Sequence, residues 1–371
     1  MSMKLTFSSK KFLILVLALF VASLLNSCDT KRTATGNEDE IFVVADSSEY
    51  EELKSTLQQV FGKIIYTPQP EPLFTLTRKD YYQIESVKNK KNVVFVAPLN
   101  SDSKVSQYIE DALDSSVTQR VNENEEFVFN KYDLWAANQL VMFLTSPTTE
   151  DLEENILSDQ ENLLYHFQNI SNKRLYKSLY NKKFERKEIE GQFLRDYGWI
   201  IYVQADYLLA KNEPEDNFVW IRRAPGTNME RWIFVHWIEN ASPEYLNADS
   251  ICAIRDSITS KYYLSMDEKN YVKIADDYKM SAEVNFNGRY AIMTQGLWEM
   301  DEPGMMGGPF VNYTFYDEDS KRLYMLDGSI YAPKYYKKKL IQQVDVTLQS
   351  FMTEDEISED KKENLLDALE E

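Results

Sequence analysis

From Ile41 onward the chain alternates between the apolar patterns of strands and helices. Short apolar runs bounded by polar residues predict strands. In the first half these runs lie at residues 41–45, 93–97, 127–135 and 139–145. Between them, apolar residues at helical spacing predict amphipathic helices, one through Leu53 and Leu57 and one through Val105 and Ile109.

A long helical region starts at Ser146-Pro147 and extends to Leu179, with a break expected at Ser171-Asn172. The second half returns to strands that are rich in aromatic and β-branched residues. These strands are predicted at residues 199–205, 218–223, 229–239, 290–300, 309–316 and 322–331. A helix through Ile251 and Ile254 interrupts them, and a final helix is predicted to begin at Pro333.

This order of elements predicts an α+β fold with mixed or antiparallel sheets and packed helices. We expect an N-terminal α+β lobe at residues 41–190, a strand-rich α+β lobe at residues 191–352 and an acidic, solvated tail at residues 353–371. In each lobe a strand leads through a Ser-Pro pair into a helix, Ser146-Pro147 in one and Ser242-Pro243 in the other. Two related lobes therefore stay open as an alternative to two independent ones.

The first 27 residues are typical of a secretory signal peptide. Lys4, Lys10 and Lys11 precede an apolar run at residues 12–25, which is too short to span a membrane. Leu25-Asn26-Ser27-Cys28 is similar to a bacterial lipobox, in which the cysteine becomes the lipid-modified first residue of the mature protein. The alternative is an ordinary cleaved signal with a free Cys28. With the lipid, residues 28–40 are expected to be a flexible tether to the membrane.

Composition narrows the class of partner. The chain has a net charge of −19, and the signal peptide carries three lysines and no acidic residue, so its removal makes the charge more negative. Such a surface repels phosphate backbones, which excludes nucleic acid as a partner. Cys252 is the second of two cysteines, and its helical spacing with Ile251 and Ile254 predicts a buried, inert thiol rather than a reactive one.

Strong catalytic and metal-binding signatures are absent from the sequence. It contains no HExxH, GxSxG, GxxxxGK[ST] or CxxC motif, and its two histidines, His166 and His236, lie far apart. We therefore predict no metal and no cofactor. Asp301 and Glu302 are the carboxylates most suited to acid–base chemistry, but a solvated turn is the favoured explanation for them.

The segment GLWEMDEPGMMGGPF, residues 296–310, holds four of the eleven glycines. Strand alternation continues after it, so it joins strand to strand and lacks the helix that a phosphate-binding loop requires. Aromatic residues make up 13% of the chain, and those near this loop could form a platform for a partner or pack in the core. The predicted binding surface comprises Trp232, Trp237, Trp298, Met305, Met306, Gly307, Gly308 and Phe310.

Cys28 with its lipobox, the strand-to-helix pattern after Ile41, and Gly296-Leu297-Trp298 followed by Met306-Gly307-Gly308-Pro309-Phe310 together resemble a known family. It is domain-of-unknown-function family 4837, a group of Bacteroidota lipoproteins, and the resemblance runs from about Cys28 to Phe351. It implies a cell-envelope location and carries over no catalytic residue.

Two functions follow as hypotheses. The first is a non-enzymatic lipoprotein, anchored most often in the outer membrane, that binds an envelope protein or glycan or takes part in assembly. The second is a carboxylate-dependent hydrolase that acts on envelope glycan or peptide.

The anchor is directly testable. Replacing Cys28 by Ala removes the acylated sulfur, so the protein is expected to move from the membrane fraction to the soluble fraction after cell lysis. A Cys252→Ala variant, which keeps the lipobox, is the matched control. Retention of Cys28→Ala in the membrane fraction would refute anchoring by this residue.

Overall fold

The computed structural model describes residues 31–302 and 304–370; the signal peptide and Cys28 lie outside this range. Its strands are β1 (Glu40–Val44), β2 (Ile64–Tyr66), β3 (Pro70–Pro72), β4 (Thr75–Lys79), β5 (Asn92–Val96), β6 (Val128–Tyr132), β7 (Leu140–Leu144), β8 (Trp199–Ile200), β9 (Tyr207–Glu213), β10 (Phe218–Arg223), β11 (Glu230–Ile238), β12 (Val272–Phe286), β13 (Arg289–Met300), β14 (Gly307–Asp317), β15 (Arg322–Tyr331) and β16 (Met352–Thr353).

The α-helices are α1 (Ser47–Val60), α2 (Lys104–Ala112), α3 (Ser115–Asn122), α4 (Thr149–Ser158), α5 (Gln160–Leu179), α6 (Lys187–Tyr197), α7 (Ala248–Tyr262), α8 (Lys338–Leu348) and α9 (Glu359–Asp367). The fold is α+β, as predicted. No helix within the described ranges is both long and apolar enough to cross a membrane.

The chain forms two compact units. The first contains the described residues up to Tyr50 together with Thr77–Leu152, and the second contains Glu51–Leu76 and the chain from Glu153 onward. The expected boundary at residues 190/191 marks the point where the sequence changes from helical patterns to strand-rich, aromatic patterns. The units instead separate at residue 152, because α5 and α6 pack with the elements that follow them.

The first unit is built on a five-stranded sheet with the order β4-β1-β5-β7-β6. Strands β1, β5 and β7 are parallel, whereas β6 is antiparallel to β7. The central strands β5 and β7 are buried at every position, as their continuous apolar sequences predict. Helix α2 covers one face through Val105 and Ile109, which pack on Phe95 and Phe143.

The described part of the expected tether is not flexible, and the prediction is wrong for residues 31–40. Ala34 is buried, and its backbone N–H donates to the carbonyl of Ala137 at 2.8 Å. The side chain of Asn92 donates to the carbonyls of Glu38 and Glu40 at 3.0 and 3.1 Å. The composition of the segment is polar enough for a linker, but strand-like hydrogen bonds to the sheet hold it in place.

The second unit is built on a seven-stranded antiparallel sheet with the order β12-β13-β14-β15-β11-β10-β9. Helix α8 and the aromatic residues around Trp199 cover one face, and α7 covers the other. Both faces are therefore covered, which is why β11, β14 and β15 are buried at nearly every position. The two units differ in strand order and in strand direction. The strand that precedes Ser146-Pro147 belongs to a largely parallel sheet, whereas the strand that precedes Ser242-Pro243 belongs to an antiparallel sheet.

A fully buried ion pair joins α7 to the centre of this sheet. Arg255 Nε donates to Asp327 Oδ2 at 2.7 Å, and both side chains are completely buried. Asn312 and Ser329 also donate to the Asp327 carboxylate, at 3.2 and 3.0 Å. The guanidinium of Arg255 stacks 3.8 Å from the ring centre of Phe310. Helix α7 is thereby fixed in register on the sheet by charge as well as by apolar contact.

Strand β12 is a strand that the sequence did not predict. It lies at the edge of the sheet and is rich in charged residues, including Lys273, Asp276 and Lys279. Charged side chains on an edge strand prevent further pairing, and they also remove the apolar alternation by which strands are recognised. Its pairing with β13 is irregular between Ile274 and Lys279.

Helix α8 begins at Lys338, five residues after the predicted start at Pro333. Lys337, Lys338 and Lys339 stand where the helix dipole favours negative charge. The buried carboxylate of Glu71 supplies that charge, since it accepts from the backbone N–H of Lys337 at 2.7 Å and of Lys338 at 3.2 Å. A residue more than 260 positions away therefore caps this helix.

The C-terminal tail is ordered, which corrects the expectation of a solvated segment. Strand β16 pairs with β8, and α9 packs on α6 with Leu365 in a small core beside Leu194. Gly191 makes this possible: a Cβ added there would lie 2.3 Å from the carbonyl oxygen of Leu365. The acidic residues of α9 face solvent, and that exposed face dominates its composition.

The buried ion pair generates a stability prediction. Replacing Arg255 by Met leaves the Asp327 carboxylate buried without its countercharge, so we expect a loss of about 3–5 kcal/mol in the free energy of unfolding. The double variant Arg255→Met/Asp327→Leu removes both charges and is expected to lose less than the sum of the single variants. Denaturant unfolding of the single and double variants measures these free energies.

The matched control is Lys54→Met, which removes an exposed ion pair to Glu51 in the same unit. Exposed ion pairs contribute little to the free energy of unfolding, so this variant is expected to be as stable as the wild type. Equal losses for Lys54→Met and Arg255→Met would contradict a structural role for the buried pair.

Candidate functional site

The aromatic residues of the predicted binding surface lie in the core, which corrects that prediction. Trp232, Trp237, Trp298 and Phe310 are exposed by 6%, 2%, 1% and 1%. The indole of Trp298 donates to the carbonyl of Ile330 at 3.2 Å. Core packing, the default interpretation of these aromatic residues, is correct because both faces of the antiparallel sheet are covered.

The glycine segment is a strand–loop–strand connection, as predicted. Gly308 permits close approach of two strands, since a Cβ there would lie 1.9 Å from the carbonyl oxygen of Ile330. Gly307 and Met306 are partly buried, and Met305 is 46% exposed. The surface that remains for a partner is therefore small.

The carboxylates of this loop stabilise the turn. Asp301 Oδ1 accepts from the backbone N–H of Tyr271 at 2.8 Å, and Glu302 Oε2 accepts from the side chain of Asn270 at 3.0 Å. They fit the solvated-turn interpretation better than acid–base chemistry.

The remaining candidates from the sequence are structural. His236 is buried on β11, where Nδ1 lies 3.0 Å from the carbonyl oxygen of Asn217, and burial lowers its pKa. Cys252 is half-buried, and burial raises the pKa of its thiol, so it is not an activated nucleophile. Among the residues with described positions, no group of His, Cys, Asp and Glu is arranged to hold a metal ion.

The second unit contains a cleft of about 900 Å³ that the sequence did not predict. It lies between the end of α5, the segment that leads into α6, and the segment that carries β16 and α9. Its lining includes Tyr176, Tyr180, Tyr202, Lys182, Glu185, Lys187, Asn287, Gln349, Asp360, Lys361 and Asn364. The volume of this cleft lies in the range that is usual for small-ligand sites.

Three tyrosines form a continuous aromatic wall of the cleft. The ring centres of Tyr176 and Tyr180 are 4.1 Å apart, and those of Tyr180 and Tyr202 are 4.6 Å apart. Tyr180 donates its hydroxyl to the carbonyl of Val346 at 2.5 Å, and burial raises its pKa. Tyr202 donates to the carbonyl of Asn181 at 3.2 Å. The two inner rings are thus fixed, whereas Tyr176 is 54% exposed at the mouth.

Charged side chains of both signs surround this wall. Lys182, Lys187 and Lys361 lie on the lining together with Glu185 and Asp360. Amide side chains at positions 287, 349 and 364 add further hydrogen-bonding groups. The cleft therefore offers ring faces for apolar contact and a mixed set of donors and acceptors for a polar ligand.

A buried carboxyl group, that of Glu190 on α6, lies near the cleft. It is completely buried, and Oε1 accepts from the backbone N–H of Val203 at 2.9 Å. Its pKa is raised to about 8, chiefly by burial and to a smaller extent by the nearby Glu185 carboxylate, while the Val203 hydrogen bond partly opposes the rise. Glu190 is therefore mostly protonated at neutral pH, a state typical of functional sites as well as of buried structural acids.

Sequence reasoning missed this cleft because its walls come from distant segments. The one local signal is Tyr176 and Tyr180, which are four residues apart and so share a helix face. The other wall belongs to the tail, whose acidic composition predicted a solvated segment. Only the docking of α9 on α6 brings the walls together.

Comparisons with known families divide the chain in two. Residues 185–350 match the model of a domain of unknown function, DUF4837, and residues 34–180 match that of a second, DUF8532. The resemblance drawn from the glycine segment is thus confirmed for the second half of the chain. Its expected extent from about Cys28 is wrong for the first half, which matches the other family. No curated protein matches the sequence.

Solved structures show distant likeness only. Cyanobacterial PsbP (CyanoP) from Synechocystis sp. PCC 6803 is 8% identical with a TM-score of 0.30, over 43% of this chain and 88% of its own. The Ran-binding protein Mog1p of Saccharomyces cerevisiae is 8% identical with a TM-score of 0.27, over 42% and 90%. The lipid transfer and protein localization domain of human StarD13 is 10% identical with a TM-score of 0.20, over 39% and 87%. Likeness at this level says nothing about ligand or activity.

The raised pKa of Glu190 predicts a pH dependence of stability. The carboxyl group stays protonated up to pH of about 8 in the folded chain but loses its proton near pH 4.5 when unfolded. Folding therefore loses stability as pH rises from 4.5 to about 8, because the unfolded state releases the proton first. Glu190→Gln keeps an acceptor for Val203 and is expected to weaken this decline.

Denaturant unfolding of both proteins across this pH range provides the measurement. Other buried acids contribute equally to both proteins, so the difference between the two curves isolates Glu190. Parallel curves for the wild type and Glu190→Gln would show that Glu190 titrates like an exposed carboxylate.

Proposed function

We propose that the protein is a lipid-anchored component of the cell envelope that binds an envelope glycan in the tyrosine-lined cleft. The observation that carries the binding function is the aromatic wall of Tyr176, Tyr180 and Tyr202 beside amide and charged side chains. Sugar rings present apolar C–H faces and hydroxyl edges, and this lining complements both. Lysines and carboxylates in the same lining favour a glycan that carries amino or acidic groups.

The envelope location is supported by the signal peptide and the lipobox that ends at Cys28. The strongly negative charge of the chain makes nucleic acid an unsuitable ligand. A glycan or peptide of the envelope is the class of ligand that a protein anchored there would meet.

A second function, hydrolysis of the bound glycan, is favoured by one observation. Glu190 carries a proton at neutral pH, which a general acid requires, and Glu185 is a carboxylate close to it on the cleft lining. A protonated acid and an ionised carboxylate together are the groups that glycoside hydrolysis uses. Against this, Glu190 is fully buried, so a substrate would have to reach it through a change in the cleft.

Binding tests the first function. Tyr176→Ala removes the exposed ring without opening the core, so we expect normal stability and about five- to tenfold weaker binding of glycan fragments, on the order of 1 kcal/mol. Calorimetry with a panel of peptidoglycan and polysaccharide fragments is the measurement. Tyr82→Ala, which removes a ring that is 81% exposed in the first unit, is the matched control.

The same panel separates the two functions. Fragment cleavage that Glu190→Gln abolishes, with binding retained, would establish the hydrolase. Binding without cleavage supports the binding protein. Failure of every fragment to bind, or equal effects of Tyr176→Ala and Tyr82→Ala, would refute the cleft as the ligand site.

A further inference from the structure

The parallel strands of the first unit begin at one common edge of their sheet. Strands β1, β5 and β7 pair in parallel, so the residues just before Glu40, Asn92 and Leu140 lie side by side. The antiparallel strand β6 ends at the same edge, because Tyr132 pairs with Leu140. We call this the amino edge of the sheet.

The first described residues of the chain are bound along the amino edge. Thr33 and Thr35 form β-bridges with Ala137 and Lys90. The Lys31 ammonium donates to the carbonyls of Asp133 and Leu134 at 2.7 and 3.0 Å. Buried Gln139 donates to the carbonyls of Lys88 and Lys90, at 3.0 and 2.7 Å, and so holds the receiving loop. Lys31, the first described residue, is therefore already bound to this unit.

This attachment at Lys31 limits how far the unit can stand from a lipid on Cys28. Cys28 precedes Lys31 by three residues, and a fully extended chain of that length spans about 11 Å. A flexible segment through residue 40, as the sequence suggested, would have allowed a reach of about 40 Å. The hydrogen bonds of residues 31–40 remove most of that freedom.

The amino edge is less acidic than the chain as a whole. Six basic residues lie there: Lys31, Arg32, Lys88, Lys90, Lys91 and Lys131. Five acidic residues lie among them, Glu38, Asp39, Glu40, Glu85 and Asp133, so the edge keeps one positive charge in excess in a chain whose net charge is −19. Basic residues within about 10 Å of a membrane are attracted to anionic headgroups.

We propose that the amino edge of the five-stranded sheet lies against the headgroups of the leaflet that holds the anchor. The carboxyl ends of the same strands, with Lys104 at the start of α2, then point away from that leaflet. This orientation concerns the first unit alone and rests on the proposed lipid anchor at Cys28. The partner is a phospholipid surface, and the short chain from Cys28 to Lys31 holds the edge against it.

Fluorescence quenching in vesicles tests the orientation. The lipid-modified chain, with Cys252→Ala to remove the second thiol, is reconstituted into phosphatidylethanolamine–phosphatidylglycerol vesicles that contain nitroxide-headgroup lipid. A fluorophore is attached at Lys131→Cys on the amino edge or at Lys104→Cys on the opposite edge, both exposed lysines of the same unit. We expect quenching at position 131 to be several-fold stronger than at position 104.

A linker insertion isolates the cause. About ten Gly and Ser residues between Asp29 and Thr30 add a mean reach of roughly 15–20 Å, so the contrast between the two positions should largely disappear. Equal quenching at both positions, or stronger quenching at 104, in protein that stays on the vesicles would overturn the orientation while leaving the anchor intact. Wild-type chain that fails to associate with the membrane, like Cys28→Ala, would overturn the anchor and the orientation together.

Discussion

The buried pair of Arg255 and Asp327 is the constraint on which the second unit depends. Asp327 lies on β15, between β14 and β11, and a carboxylate at that depth requires a countercharge. Arg255 supplies it from α7, and its guanidinium also covers the ring of Phe310. With α7 held in this position, it covers the aromatic residues beneath it, including Trp298, and keeps them buried. The glycine segment is thereby assigned to the architecture of the sheet.

On the opposite face of the same sheet, the chain segments that follow α8 help to form the cleft. Helix α8 is capped by Glu71, and the chain after it returns through β16 to dock α9 on α6. This return path leaves a cleft with a tyrosine wall, and it encloses Glu190 in surroundings that favour the protonated carboxyl group. Packing that stabilises the fold and geometry that can hold a ligand therefore come from the same segments.

Particular elements show why sequence reasoning succeeded where it did. Strand β7 is apolar throughout and β5 is apolar after Asn92 because both strands are central and parallel, and β11 carries apolar residues on both faces because both are covered. Strand β12 was missed because it is an edge strand whose polar side chains face solvent. The break in the long helical region was expected at Ser171-Asn172 but lies at Asp159, since Ser171 is buried against the unit and α5 continues through it. The composition of a segment predicts its burial only where apolar segments lie in the core and polar segments lie at the surface.

By itself the sequence determined the α+β class, most of the central strands, the strand–loop–strand nature of the glycine segment and the absence of familiar catalytic motifs. These follow from periodicity and residue type, which act over a few neighbouring positions. The tertiary structure decided that Trp298 and Phe310 are core residues, that residues 31–40 are bound to a sheet edge, and that Tyr176, Tyr202 and Asn364 share one cleft. It also decided the protonation of Glu190. Burial and proximity depend on contacts between segments distant along the chain, and no local pattern encodes which segments will meet.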